Sequence, residues 1–171
     1  MLRTIILLVL PLLSANLWAA EKIMVLEFGL DDDTLLPNVS DEKDRVASLA
    51  PYVTKGLASL GYEASVNITA DEMKAQIANG YLIKFPAAAL DIAEAGEFRW
   101  LAIGKLRKFS FMESWIRLYL YDVKRKKLVG HAEAEVRGHM TDDRMTQRTA
   151  FSLAEQIDGF IRELSTPPPQ R

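Results

Sequence analysis

The chain contains no cysteine. That excludes a disulfide framework, thiolate metal sites and thiol nucleophiles. Histidine is nearly absent too, with only His131 and His139. His131 falls on the polar side of an alternating segment and His139 in the turn beyond it. About seven extended residues separate them, roughly 25 Å, too far for one metal ion. No serine stands in a Gly-x-Ser-x-Gly frame, so the sequence offers no nucleophile with its base and orienting group. The nine glycines are scattered, without dinucleotide or phosphate-loop spacing. The sequence therefore indicates no catalytic residue, no metal and no cofactor. Basic charge is not in excess: the formal net charge is −2, which argues against a nucleic-acid partner. Beyond the first residues, no apolar run is long enough to span a bilayer.

The amino terminus is what stands out first. Arg3 precedes an apolar run from Ile5 to Leu13, broken only by Pro11, and Ser14, Ala15, Ala19 and Ala20 follow before charges begin at Glu21. A basic start, a short apolar core and a small-residue end are the layout of a secretory signal peptide, with cleavage after Ala19 or Ala20. The expectation is export to the periplasm. Without Arg3, 20 of the 21 basic side chains remain against 23 acidic ones, a net of about −3. The remaining chain, about 150 residues, suits one domain over 21–165. Residues 166–171, with three consecutive prolines, read as a frayed tail.

Residues 22–28 form a nearly continuous apolar run, read as a central strand. Residues 29–43 read as a polar loop carrying Asp31, Asp32 and Asp33. Val46, Leu49, Ala50, Val53, Leu57 and Leu60 recur at helical spacing, with Gly61 as the stop. Pro51 inside that pattern predicts either a kink or a later helix start at Ser48. Residues 62–68 alternate like a strand. Thr69 announces a helix to Asn79 and Gly80, and Pro86 opens another through Ala95. Three antiparallel strands follow over 98–107, 113–123 and 128–137, and a final helix starts at Asp142 or Asp143. The third strand puts Leu128, Ala132, Ala134 and Val136 on its apolar side. The expected fold is mixed α/β: a single layered domain, its mixed sheet ending in a three-strand antiparallel meander, with helices packed on one face.

Alternation places Trp115, Arg117, Tyr119 and Tyr121 on one face of the middle strand. Tryptophan, tyrosine and arginine are enriched where proteins bind one another. The same stripe serves as core if helices cover it. Asp31, Asp33, Lys108, Arg137 and Asp142 form a second candidate set, for a small ligand or metal ion, if loop 29–43 and turn 137–143 meet. The acidic run lacks the alternation and closing glutamate of a calcium loop, so it reads first as a solvated loop following a strand. Lys105, Arg107, Lys108 and the basic turn 124–127 are expected near one end of a hairpin, facing an anionic partner or blocking edge pairing.

Several stretches resemble a family of small exported bacterial proteins classed as a domain of unknown function. The opening from Lys22 through Phe28 and Asp31 to Thr34 is similar to its strand and Asp-Phe-x-Leu motif, with Glu27 in place of the aspartate. Ile103-Gly-Lys-Leu-Arg-Lys-Phe-Ser110 is similar to its Gly-x-Val-x-Lys-x-Ser strand. Tyr121-Asp-Val123 and the turn from Arg137 to Asp143 also match, the latter with His139 for asparagine. More broadly, the early rhythm of strand, acidic loop, helix and Leu-Gly-Tyr strand resembles the amino-terminal domain of TolB and related curli-secretion and penicillin-binding-protein-activator domains. The resemblance implies a TolB-amino-terminal-like fold and a role in binding other envelope proteins. The resulting expectation is a non-enzymatic periplasmic accessory or adaptor protein with another envelope protein as partner. The alternative is a periplasmic protein that binds a small ligand or metal.

Overall fold

The computed structural model describes residues 20–34, 40–110, 113–137 and 143–165. The expected leader up to Ala19, the tail 166–171, His139 and Asp142 lie outside them, as does the side chain of Arg137.

The elements run β1 (Lys22–Leu26), β2 (Gly29–Asp32), α1 (Ser40–Ser59), β3 (Glu63–Asn67), α2 (Asp71–Ala78), α3 (Tyr81–Lys84), α4 (Ala87–Ala95), β4 (Trp100–Lys108), β5 (Glu113–Asp122), β6 (Lys127–Arg137) and α5 (Asp143–Ser165). The strands form one mixed sheet in the order β3-β1-β4-β5-β6. β1 is parallel to β3 and β4, and β2 continues along the same edge of β4 from Gly29 opposite Lys105. β4, β5 and β6 are the expected antiparallel meander.

Helices cover both faces of this sheet, not the single face expected. The reason is visible in β1. Ile23 and Val25 pack with α1 and α5, whereas Met24 and Leu26 pack with Ile77, Leu82, Leu90 and Ala93 of α2, α3 and α4. A strand covered on both sides has no polar alternation, which is why residues 22–28 read as a continuous apolar run. Each fully buried aliphatic side chain of this kind contributes about 1.5–3 kcal/mol.

Residues 29–43 are not one loop. β2 takes up Gly29–Asp32 and α1 already begins at Ser40. The helix continues through Pro51 and does not wait until Ser48 to start, because Val46, Leu49, Ala50, Val53 and Leu57 keep one stripe buried on both sides of the proline. The missing Pro51 N–H is offset by that packing. Gly61, at φ 98°, ends the turn after α1 as the sequence predicted. The short α3 has no signal of its own in sequence. In β6 the apolar side shifts: Leu128 is exposed while Val129 packs on the α1/α5 core. A bulge opposite Leu120 and Tyr121 inserts one residue and reverses the alternation there.

Two family-like stretches meet inside the fold. Gly104 lies beneath the ring of Phe28, and a β-carbon there would come within 2.2 Å of that ring. The glycine is what lets Phe28 fold back onto β4 between β1 and β2.

Candidate functional site

The helices on the second face stop short. α4 and α3 cover the first half of β4 and the end of β5, where Tyr121 is buried and its hydroxyl donates to the Ile83 carbonyl at 2.6 Å. Tyr121 is therefore core. Towards the other end of β5 no described helix crosses the sheet on that side. Trp115 and Arg117 remain partly open there, on the side opposite buried Ile116, Leu118 and Leu120, and Tyr119 lies at the margin, half-buried against the α2–α4 side of the core.

Cross-strand register completes this surface. Arg107 faces Trp115, Lys105 faces Arg117, and Arg117 faces Glu133 on β6. With Phe109 these side chains line a hollow of about 240 Å³. Arg117 donates to Glu133 at 3.0 Å, and the partnership raises the guanidinium's pKa against the opposing pull of burial. Lys105 binds Asp31 at 2.9 Å, and Arg107 binds Asp33 at 2.6 Å while lying over the Phe109 ring at 4.9 Å. Tyr119 stands 5.7 Å from the His131 ring. Each of these basic side chains is already ion-paired beside the aromatics, which lowers the side-chain entropy lost when a partner docks.

Of the second candidate set, the described members Asp31, Asp33 and Lys108 do not meet. Asp31 and Asp33 serve Lys105 and Arg107 on this open face. Lys108, one residue further along β4, points through the opposite face. There its ammonium meets Glu42 of α1 at 2.7 Å and Asp32 at 3.5 Å, with only 1% of the side chain exposed. Burial pulls the Lys108 pKa down, but Glu42 and Asp32 outweigh it and the net shift is upward. Lys108 is thus a buried structural cation within the α1 side of the core. Period-two alternation separates neighbours that are adjacent in sequence. Among the described residues, no group of three or more histidine or acidic side chains is placed to hold a metal ion.

The basic segments do not gather at one end either. Residues 105–108 lie at the end of β4 beside the start of β5, and turn 124–127 lies at the other end of β5, about 30 Å away. In that turn Lys126 is tied to Asp91 and Glu94 of α4, both at 3.1 Å. Glu133 and Phe109 were missed as site residues in sequence. Only the pairing register brings them to Trp115 and Arg117.

The architecture is that of a small layered α/β domain on an open mixed sheet. The chain belongs to the family described as "Protein of unknown function (DUF2380)", which matches residues 21–157. No curated protein matches the chain. Among solved structures it is similar to the PelC dodecamer from Paraburkholderia phytofirmans, at 15% identity over 83% of this chain and 87% of that one, with a TM-score of 0.52. It is also similar to the hypothetical protein CT253 from Chlamydia trachomatis, at 12% identity over 84% and 99%, with a TM-score of 0.51. TolB from Acinetobacter baumannii aligns more loosely, at 13% identity over 86% of this chain and 28% of that one, with a TM-score of 0.39. No helix among the described residues is long and apolar enough to cross a membrane.

Proposed function

We propose that this protein is an exported accessory protein that works by binding another envelope protein, and that Trp115, Arg117 and Tyr119 are the centre of its contact surface. The observation that carries the reading is the uncovered stretch of β4–β6, where aromatic rings and ion-paired arginines line a hollow instead of packing under a helix. These residue types dominate binding energy at protein interfaces. The leader-like residues 1–20 support export across the inner membrane. The role is binding, not catalysis, and residues 21–165 act as one domain.

In-cell crosslinking of the tagged protein, read by mass spectrometry, tests this. A Trp115→Ala/Tyr119→Ala variant, verified as folded by circular dichroism, is the control. A defined partner that is captured by the wild type and lost in the folded variant is the expected result. Equal capture by both proteins would refute this face as the contact surface. PelC is a dodecamer, which favours one second reading: the partner on this face is another copy of the chain. Light scattering of the purified protein separates the two readings, since an assembly dispersed by the same variant would identify self-association.

A further inference from the structure

Among the described residues, no strand pairs with the outer edge of β2. β3 accompanies β1 only as far as Asn67, opposite Leu26. Beyond it Thr69 turns the chain into α2. Reciprocal bonds fix this corner: Thr69 N–H donates to Glu27 Oε2 at 2.8 Å, and Glu27 N–H donates to Thr69 Oγ1 at 3.3 Å. β2 pairs with β4 on one side, and no described strand lies on the other. Strand geometry then assigns the free groups. Asp33 N–H donates to the Lys108 carbonyl at 3.2 Å, so odd-numbered residues here turn their backbone towards β4. The N–H and C=O of Leu30 therefore point outward.

They point into a groove of about 390 Å³. Phe28 and Leu30 lie at its base, with Val46 and Lys43 on the α1 wall and Ala75 and Lys74 on the α2 wall. The walls are mainly apolar and the rim is basic. Lys74 is matched by Glu27 at 2.9 Å, which leaves the exposed Lys43 as the net positive charge among these three groups.

We propose that this groove binds an extended segment of a partner polypeptide as an added strand beside β2, in line with β3. Its apolar side chains pack against Phe28 and Val46, and an acidic residue meets Lys43. A peptide backbone supplies the donor and acceptor that Leu30 presents, and strand addition of this kind draws its affinity from main-chain bonds and its specificity from side-chain pockets. An acyl chain fits the apolar walls but leaves those backbone groups without partners. The groove is separate from the Trp115 face, so either site can fail alone.

The test titrates the isotope-labelled full chain with a blocked five-residue peptide, Val-Ser-Val-Ser-Glu, whose valines and glutamate share the face turned towards α1, followed by amide NMR. Expected are a downfield shift and slowed hydrogen exchange of the Leu30 amide. Replacing the glutamate by lysine weakens binding at least about tenfold. Lys43→Gln weakens it by about threefold. Ala75→Trp, on the exposed side of α2, fills the groove and abolishes binding, whereas Trp115→Ala leaves it unchanged. The proposal is overturned by an unperturbed Leu30 amide at about 1 mM peptide, or by equal affinity for the lysine peptide. It is also overturned if decanoate binds the groove more tightly than the peptide, which would assign the site to an anionic amphiphile.

Discussion

Removing the buried cation at Lys108 is the sharpest test of how the α1 side of the core is held together. Its ammonium lies 2.7 Å from the Glu42 carboxylate, and the two side chains are 1% and 2% exposed. At an effective dielectric of about 20, two unit charges at that distance attract by about 6 kcal/mol, and the cost of desolvating both offsets much of it. Breaking such a pair from one side costs more than the pair is worth, because a charge is left buried without its counter-ion. Lys108→Met keeps the length and most of the volume of the side chain. It is expected to cost about 3–5 kcal/mol in urea unfolding. Glu42→Met/Lys108→Met removes the fully buried pair, leaves Asp32 accepting from Thr34, and is expected to recover at least about 2 kcal/mol of that loss. Burial also makes the effect nearly independent of salt. A Lys108→Met cost below about 1 kcal/mol, or a double variant no better than the single one, would refute the reasoning. Either result would mean that the ion pair is solvated in solution.

Gly104→Ala places a β-carbon within 2.2 Å of the Phe28 ring, so it is expected to destabilise by about 1–3 kcal/mol in the same unfolding assay. A neutral result would show that the ring moves freely. Tyr121 gives an alkaline prediction: burial, with Tyr119 adding to it, pushes its phenol up to about 12. The folded protein therefore resists ionisation, and this contribution to stability is complete below pH about 10 and lost as pH rises from there towards about 12. Tyr121→Phe should flatten that limb of a stability–pH curve, and an unchanged limb would assign the loss elsewhere.

Much of the fold was legible in the sequence because its signals are local. The apolar run at 22–28, the helical stripe around Leu49, the stop at Gly61 and the alternation of β5 each depend on spacing along a few turns or pleats. Those same patterns placed Trp115, Arg117 and Tyr119 together, since residues two apart on a strand share a face whatever surrounds them. Tertiary structure decided what the faces meet. Nothing in the spacing says that α2–α4 cross the sheet to bury Tyr121 yet leave Trp115 partly open. Nor does spacing show that Lys108 enters the core while Lys105 and Arg107 turn outward to Asp31 and Asp33. The groove beside β2 exists only because β3 ends before β2 begins. Periodicity is a property of one segment of chain, whereas burial, ion-pair partners and open edges depend on segments far apart in sequence, and only the packed sheet sets them side by side.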